Sequence, residues 1–429
     1  MSSLLDGTFG TIFYFIVALG VIVSIHEYGH YFMGRLCGVH AEVFSIGFGP
    51  ILWSFIDKKG TRWQLALIPL GGYVKFLDNT PQNNDNFSYR RVGLYDTTLF
   101  SRALIILGGP AFNFILSILI FASIFQYSGN VSNLTIIGTL KNIPGVTGVF
   151  NKGDEIIELE GHKVIELSDF LRVAAEMKPK EIVTYKIKRD NEILTVKGLF
   201  PFLPFVEKLQ PKSAAIAAGL KAGDLIVELD EIPVYSLSTV QNLVNASNGA
   251  PVLLTVLRNK EFIKIVVEPQ SVDLPFKNTF IKKWLIGFSG GLFFEPMRID
   301  AFWGGSLLKS VQQSWNIVIS SLVGLYSIVS GVISSCNLQG PIGIAEVSGD
   351  IARQGFVDYV WFIGVMSTAI GFLNLLPIPI LDGGHLTFIL YEAVFRKPVN
   401  RTVLKVFMIS GMIFLLSLML FALTNDLFC

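Results

Sequence analysis

Two histidines and a glutamate lie close together in an apolar stretch near the start of the chain. The sequence His26-Glu27-Tyr28-Gly29-His30 directly follows the apolar run Ile12–Ile25, which has only 14 residues. A membrane-spanning helix needs about 20 residues, so we expect the crossing helix to include both histidines. At i and i+4 their imidazoles project from one helix face with Cβ atoms about 5–6 Å apart. This arrangement suits two ligands of one tetrahedral zinc ion.

Glu27 lies beside the face that carries the two histidines, where it can take a proton from a water molecule at such a metal site. A soluble chain of this length shows a His-Glu-x-x-His match by chance now and then. Burying these three side chains in a spanning helix is costly, however, so they are expected to face a partner or a water-filled cavity. The pattern therefore predicts a metal-dependent hydrolase within a membrane.

A third ligand must come from elsewhere, because a catalytic zinc site usually has three protein ligands plus water. The segment Asn374–Gly384 interrupts an apolar helix with two prolines and places Asp382 where the chain re-enters the apolar run Leu386–Phe395. A broken helix and a carboxylate at membrane depth are typical of a functional site. His385 is the alternative ligand, but its i+3 position on a continuing helix would direct it elsewhere. We therefore predict Asp382 as the third ligand.

The composition is typical of a polytopic membrane protein, with 51% hydrophobic and 16% charged residues among 429. The net charge of +1 indicates no nucleic-acid partner. The three cysteines have no framework spacing, so we expect no structural disulfide from Cys37, Cys336 and Cys429. Length and apolarity predict four spans, at about Phe9–Met33, Leu104–Tyr127, Phe356–Leu376 and Leu404–Leu423.

The distribution of Lys and Arg near the ends of the spans predicts the orientation of the chain, because cytoplasmic loops are enriched in both residues. Basic residues concentrate in the loop after the first span and in the loop between the third and fourth spans. The first loop contains Arg35, Lys58, Lys59, Arg62, Lys75, Arg90, Arg91 and Arg102, and the second contains Arg396, Lys397, Arg401 and Lys405. We expect both loops to be cytoplasmic, and both termini and the long segment from about Ser128 to Gly355 to lie outside. The two histidines of the motif then lie toward the inner leaflet.

The segment Trp315–Ser335 is a fifth candidate for a span. Small and polar residues recur there at helical spacing opposite a row of Val and Leu, which predicts an amphipathic helix lying on the outer surface of the membrane. The alternative is a fifth crossing, which would export the basic loop Arg396–Lys405.

An internal repeat lies in the predicted external segment. Gly153–Leu159 matches Gly223–Leu229 at an offset of 70 residues, and both copies continue into a hairpin with a two-residue turn, at Asp190-Asn191 and at Asn259-Lys260. The second copy, with Pro211–Leu220 before its Gly-Asp turn, resembles a PDZ domain; the first copy resembles one only from that turn onward. PDZ grooves bind peptides by strand addition, so the second copy is a candidate for a peptide ligand. The alternative is a pair of rigid spacers without ligand.

The loop after the first span contains an apolar β-hairpin. Glu42–Ile46, Leu52–Ile56 and Trp63–Ile68 are predicted strands with a turn at Lys58-Lys59-Gly60, followed by Gly71-Gly72. Such a hairpin can enter a membrane only where protein or a cavity satisfies its backbone. Its edge could then pair with an unwound substrate, with the two glycines allowing close approach. The alternative is an ordinary cytosolic hairpin.

Several motifs together resemble those of the site-2 proteases, a family of intramembrane zinc metalloproteases. The resemblance runs nearly end to end, and it is greatest to Gram-negative members that carry two PDZ domains between the second and third spans. The motifs are His26–His30, Phe44–Pro50, Ile68–Lys75, Gly108–Asn113, Gly340–Ala345 and Asn374–Gly384.

This resemblance implies both a site and an activity. The implied zinc ligands are His26, His30 and Asp382, with Glu27 as the catalytic base. Substrate-binding positions are expected at Asn374, Pro379, Gly71, Gly72 and Asn113. The activity implied is cleavage of single-span membrane proteins, among them an anti-sigma factor already trimmed outside and remnant signal peptides. The protein would act in envelope stress signalling, in the lipid of a bacterial inner membrane.

The expected architecture is a polytopic α-helical membrane protein with about four transmembrane helices, two tandem extracytoplasmic PDZ-like α+β domains and a membrane-associated β-hairpin. The predicted segments are the first transmembrane helix at 1–35, the cytoplasmic-side loop at 36–101, the second helix at 102–127, PDZ-like domains at 128–202 and 203–272, an extracytoplasmic segment at 273–355, the third transmembrane segment at 356–395 and the fourth helix at 403–424.

Two other functions use the same residue types. An ion transporter also places Glu, His and Asp in broken spans, but it usually needs more spans and has little use for tandem external domains. A zinc-binding receptor would need His26, His30 and Asp382 but not Glu27. Ion flux in liposomes tests the first alternative, and a silent Glu27→Gln substitution would favour the second.

Overall fold

The computed structural model describes residues 7–78, 92–143, 149–276, 279–332 and 338–428. The chain divides into two compact units, one formed by residues 1–124 with 303–429 and the other by residues 125–302. Among the cysteines, Cys37 is half-buried and free. Five residues named in the sequence analysis lie outside the described ranges: Arg90, Arg91, Ser335, Cys336 and Cys429.

The described part of the chain contains ten α-helices. Four of them are long and apolar enough to cross a membrane, and they correspond to the four predicted spans: α1, α2, α8 and α10. The helices are α1 (Thr8–Leu36), α2 (Leu99–Ser128), α3 (Leu167–Glu176), α4 (Ala214–Ala217), α5 (Leu237–Ala246), α6 (Trp303–Val329), α7 (Pro341–Gln354), α8 (Phe356–Asn374), α9 (Asp382–Phe395) and α10 (Arg401–Phe428).

The first unit contains one antiparallel sheet made of two long strands, β1 (Ala41–Ile56) and β2 (Arg62–Phe76). Both strands bend, so the sheet has four runs in the order 72–76, 41–46, 62–66 and 51–56. The three predicted strands lie inside these two. The prediction of separate strands at Glu42–Ile46 and Leu52–Ile56 is wrong, because β1 continues through residues 47–51. Gly47 and Gly49 have φ of +90° and +87° there. Glycine adopts such values readily, so the strand bends without ending.

The predicted turn between these strands is present, and Asp57 organises it. Its carboxylate accepts hydrogen bonds from the backbone N–H groups of Lys59 at 2.8 Å and Thr61 at 2.9 Å, and from Trp63 Nε1 at 3.1 Å. Burial alone would raise the pKa of Asp57, but these donors favour the charged form and hold the pKa below its ordinary value.

Helices α1, α2 and α8 pack closely through small residues. A Cβ on Gly108 would lie 2.5 Å from the carbonyl oxygen of Gly29, so the backbones of α1 and α2 are in direct contact. Ser367 of α8 donates a hydrogen bond of 2.9 Å to the backbone carbonyl of Asn113 on α2. Close approach through glycine and hydrogen bonds from serine are common devices of helix packing in membranes.

Helix α9 follows the proline-interrupted segment and begins at Asp382. Just before it, Ile380 has a φ of +84°, which is rare for a β-branched residue and marks local backbone strain. Farther along α9, Glu392 forms a two-point ion pair with Arg102 at the start of α2, with N–O distances of 3.1 and 3.2 Å. The pair fastens α9 to α2.

Helix α6 begins twelve residues before the predicted amphipathic segment and ends at Val329, while residues 333–335 of that segment lie outside the described ranges. A row of serines on α6 is buried: Ser306, Ser310 and Ser314. The hydroxyl of Ser314 lies 3.4 Å from that of Ser117 on α2. Helix α6 therefore packs through serine and exposes apolar side chains such as Leu308 and Trp315. Its position on or across the membrane stays a prediction.

The second unit contains the predicted repeat as two four-stranded sheets of the same strand order. The first has the order β6-β5-β7-β8 and the second β11-β10-β12-β13. Their strands are β5 (Glu155–Leu159), β6 (His162–Lys163), β7 (Val183–Arg189), β8 (Glu192–Gly198), β10 (Leu225–Leu229), β11 (Ile232–Pro233), β12 (Val252–Arg258) and β13 (Glu261–Val267). Helix α3 belongs to the first copy and α5 to the second.

The second unit contains further strands outside the two four-stranded sheets. They are β3 (Asn130–Val131), β4 (Ile137–Leu140), β9 (Lys208–Leu209), β14 (Gln270–Phe276), β15 (Thr279–Leu285), β16 (Phe288–Ser289), β17 (Phe294–Pro296) and β18 (Arg298–Ile299). Strand β3 pairs with β18, β4 with β17, β9 with β16 and β14 with β15.

Details of the two copies repeat as well. The predicted two-residue turns join β7 to β8 and β12 to β13, and all four turn residues have positive φ, as the preferred hairpin turn requires. In each copy the buried aspartate of the Gly-Asp turn pairs with an arginine at the end of the third strand: Asp154 with Arg189 at 2.7 Å, and Asp224 with Arg258 at 2.6 Å. Helix α4 precedes the turn of the second copy; residues 144–148 of the first copy are not described.

Candidate metal centre

Two helices supply a cluster of three potential metal ligands in the first unit. His26 and His30 are one turn apart on α1, and Asp382 is the first residue of α9. The Nε2 atoms of the histidines are 3.2 Å apart, and the Asp382 carboxylate oxygens lie 3.2 Å from His26 Nε2 and 3.5 Å from His30 Nε2. All the ligand atoms lie within 4.8 Å of one another.

The donor set fits a zinc ion. Two imidazole nitrogens and one carboxylate oxygen leave the fourth tetrahedral position open, as in catalytic zinc sites. Oδ2 of Asp382 is fully buried and makes no hydrogen bond with the described residues, although His26 Nε2 approaches it. A bound cation would satisfy such an oxygen. The rival ligand His385 is not part of the cluster in the described chain.

Helix α2 supports both histidines from behind. Nδ1 of His30 lies 2.9 Å from the backbone carbonyl oxygen of Ile105, and Nδ1 of His26 lies 3.3 Å from the amide of Asn113. Groups of this kind fix the ring orientation of metal-binding histidines, and their loss weakens metal binding.

Gly109 of α2 lies directly against the two imidazole rings. A Cβ at this position would come 2.7 Å from Cε1 of His26 and would also collide with Nε2 of His30. Any side chain at position 109 would therefore displace a ligand.

Glu27 lies next to the cluster and against the sheet. The backbone N–H of Val74 in β2 donates a hydrogen bond to its carboxylate. A Cβ on Gly72 would lie 3.1 Å from Cγ of Glu27 and 2.7 Å from the carbonyl oxygen of Ser45. The 72–76 run of the sheet therefore packs directly on the helix that carries the motif.

The other predicted site residues are more dispersed. Asn374 ends α8 and is half-buried, and its side-chain amide makes no hydrogen bond with the described residues. Pro379 lies against α10, where a Cβ on Gly411 would come 2.7 Å from its carbonyl oxygen. A Cβ on Gly71 would meet the ring of Phe48. Asn113 is fully buried beside His26 rather than in an open groove.

Three supporting groups were missed by the sequence analysis: the carbonyl of Ile105, the N–H of Val74 and the space left by Gly109. Two of them are backbone groups, which every residue carries, so no residue type marks them. Gly109 belongs to the Gly-Gly-Pro sequence of the motif Gly108–Asn113, and a glycine pair inside a spanning helix is the signal that points to close packing.

Comparison with known proteins identifies the family. A family model described as "Peptidase family M50" matches residues 14–418. A protein named regulator of sigma-E protease RseP from Escherichia coli strain K12 is 32% identical, with 96% of this chain and 97% of that protein aligned. A protein named putative zinc metalloprotease from Vibrio cholerae serotype O1 is 31% identical over the same shares of both chains. The regulator of sigma E protease of Haemophilus influenzae is also 31% identical, again with 96% and 97% aligned. The chain belongs to peptidase family M50.

Proposed function

We propose that this zinc metalloendopeptidase hydrolyses peptide bonds within the transmembrane segments of single-span membrane proteins. The observation that carries the proposal is the group formed by His26, His30 and Asp382 beside Glu27. Both histidines and Glu27 lie on α1, a helix apolar enough to cross a membrane. Ionisable residues in a membrane-spanning helix have to face a cavity or a partner. A metal-dependent hydrolase needs both a metal site and water in such a cavity.

In this proposal His26, His30 and Asp382 hold the zinc ion. When bound, zinc supplies Lewis-acid polarisation of the scissile carbonyl and lowers the pKa of water. Glu27 accepts a proton from the attacking water and later donates it to the leaving amine. The backbone N–H of Val74 is a hydrogen-bond partner of the Glu27 carboxylate, so the backbone of the sheet can help to position the base.

A helical substrate hides its peptide bonds in its own hydrogen bonds, so it must be unwound before cleavage. The run 72–76 pairs with 41–46 on one side and with no other strand of the described residues, so it is an edge. An unwound segment can pair along this edge near Gly71 and Gly72, in the manner of strand addition. Asn374, whose amide is unpaired within the described chain, can bind the substrate backbone or the oxyanion.

We place the active site toward the cytoplasmic side of a bacterial inner membrane, with both termini and the second unit outside. The distribution of Lys and Arg in the two predicted loops supports this orientation. Relatives named regulator of sigma E protease and regulator of sigma-E protease RseP support a role in sigma-E regulation. We infer an anti-sigma factor, already trimmed outside, as a substrate class. Remnant signal peptides are a second class with the same single-span architecture.

The two repeats of the second unit are proposed to be PDZ-like domains. Their common strand order and repeated Asp–Arg pairs support a duplicated domain. In the second copy a groove lies between α5 and the segment Leu285–Phe288, with Leu237, Val240 and Val244 on the helix side. This groove suits an apolar extended peptide. As a pair, the domains can also exclude substrates that still carry a large ectodomain.

The test is cleavage of a single-span reporter with a helix-destabilised transmembrane segment by the purified full-length protein in detergent. We expect cleavage that is lost on adding a chelator, restored by zinc, and absent in Glu27→Gln although zinc stays bound. Glu346→Gln, an exposed carboxylate on α7, is the matched control and should cleave normally. Undiminished cleavage by Glu27→Gln would contradict the assignment of the base. Zinc binding without cleavage of any such reporter would favour a zinc-binding receptor.

A further inference from the structure

The buried side-chain amide of Asn113 has unfavourable hydrogen bonding in its present orientation. Its Nδ2 lies 3.3 Å from Nδ1 of His26, while its Oδ1 is buried and has no hydrogen-bond partner in the described chain. An amide nitrogen only donates, so this contact requires Nδ1 of His26 to accept. The proton of a neutral His26 would then have to sit on Nε2.

That tautomer conflicts with metal binding. Nε2 of His26 is the atom that faces His30 and Asp382, so it must offer a lone pair to a metal ion. In neutral imidazole one nitrogen donates and the other accepts, so a metal on Nε2 requires the proton on Nδ1. Two donors, Nδ1–H of His26 and Nδ2 of Asn113, would then face each other.

A rotation of the Asn113 amide by about 180° removes the conflict, because it exchanges Oδ1 and Nδ2 with almost no change in shape. The buried oxygen then accepts the proton of His26 Nδ1. His30 already has this arrangement, since the carbonyl oxygen of Ile105 lies 2.9 Å from its Nδ1. Each histidine of the motif then has an oxygen acceptor on α2 behind it and a free Nε2 in front.

We propose that Asn113 is a positioning residue that holds His26 in its metal-binding tautomer through an Nδ1–H···Oδ1 hydrogen bond. This assignment rests on the proposed zinc site, and it replaces the substrate-binding role expected for Asn113. It acts through His26 only: Asn113 is fully buried, and its backbone is tied to α8 by Ser367. Loss of such a supporting group typically lowers metal affinity about 10–100-fold.

The first test measures zinc affinity of the purified full-length protein by competition with a chromophoric chelator, without any cleavage assay. Asn113→Leu keeps the approximate size but removes the acceptor, so affinity should fall about 10–100-fold. Asn113→Asp keeps an acceptor and should bind zinc at least as tightly as wild type. The matched control is Ser117→Ala, another fully buried polar position of α2, which should leave zinc affinity unchanged.

The second test uses the wild-type protein, so it stands even where a variant fails to fold. In metal-free protein labelled with ¹⁵N-histidine, the ring shifts of His26, assigned by comparison with His26→Gln, should report the proton on Nδ1. A proton on Nε2, or wild-type zinc affinity in Asn113→Leu, would overturn the proposal. His26→Gln separates failure of the proposed zinc site from failure of the role proposed for Asn113. If His26→Gln still binds zinc with wild-type affinity, the proposed metal site itself is wrong, whatever Asn113 does.

Discussion

At the scale of single residues, the candidate metal centre depends as much on a missing side chain as on those present. Gly109 leaves the space that both imidazole rings occupy, and no other residue type fits there. The three potential ligands could be predicted from the sequence because i, i+4 spacing is a local property of a helix and Asp382 follows a proline break. Gly109 and Asn113 meet their partners only when α2 packs on α1. This is a tertiary contact, and no local pattern in the sequence predicts it.

Gly109→Ala provides a residue-scale prediction. Alanine in place of glycine favours an isolated helix by about 1 kcal/mol, yet here the new methyl group would push against His26 and His30. We expect zinc affinity to fall at least tenfold, measured by chelator competition. The control is Gly20→Ala on α1, because a Cβ there would have nothing within 4 Å. Equal zinc affinity in both variants would show that the rings can move aside without loss.

At the scale of elements, two features of the first unit were only partly predictable. The strands of the sheet were expected from their apolar and β-branched residues. The first two predicted strands are joined into the single bent strand β1 at Gly47 and Gly49, which have positive φ. The start of α9 at Asp382 was expected from the prolines, but its fastening to α2 through Glu392 and Arg102 is a tertiary contact without a local pattern.

The pair formed by Arg102 and Glu392 allows a test of how α9 is held. Its side chains are only 16% and 24% exposed. Removing one of them would therefore leave the other charge largely buried and without its ion-pair partner. Arg102→Gln and Glu392→Gln should each destabilise the protein, and the double variant should lose little more. We expect a coupling energy of about 1–3 kcal/mol from thermal unfolding in detergent. The pair of Lys75 and Glu42 is more exposed, at 62% and 34%, and should show a smaller coupling energy. Additive losses at Arg102 and Glu392 would mean that the contact does not hold α9.

The proposed substrate edge is tested at Gly71. Proline there removes a backbone N–H from β2 and fixes φ near −65°, which disturbs the strand just before the edge run 72–76. The ligands lie on α1 and α9, so zinc content should stay at the wild-type level while reporter cleavage falls at least tenfold. Normal cleavage by a well-folded Gly71→Pro protein would exclude a role of this edge in binding substrate. Zinc lost together with activity would instead indicate a disturbed metal site.

At the scale of the whole molecule, the boundaries of the second unit indicate how to remove it. Strand β3 pairs with β18, and the N–H of Ser132 donates a hydrogen bond of 2.8 Å to the carbonyl of Met297. The chain therefore leaves and returns at neighbouring points, and a short Gly-Ser linker can replace residues 133–296. A short loop closes at small entropic cost, so the first unit should still fold.

If the second unit excludes large ectodomains, this deletion should change selectivity rather than chemistry. Wild type should cleave a reporter without an ectodomain and spare the same reporter with a folded one, whereas the deletion variant should cleave both. Glu27→Gln in the deletion background should abolish both cleavages. Gln241→Trp separates exclusion from peptide recognition, because it fills the groove beside α5 from an exposed position. Changed selectivity in Gln241→Trp would favour recognition of a peptide. Unchanged selectivity in the deletion variant would eliminate the size filter.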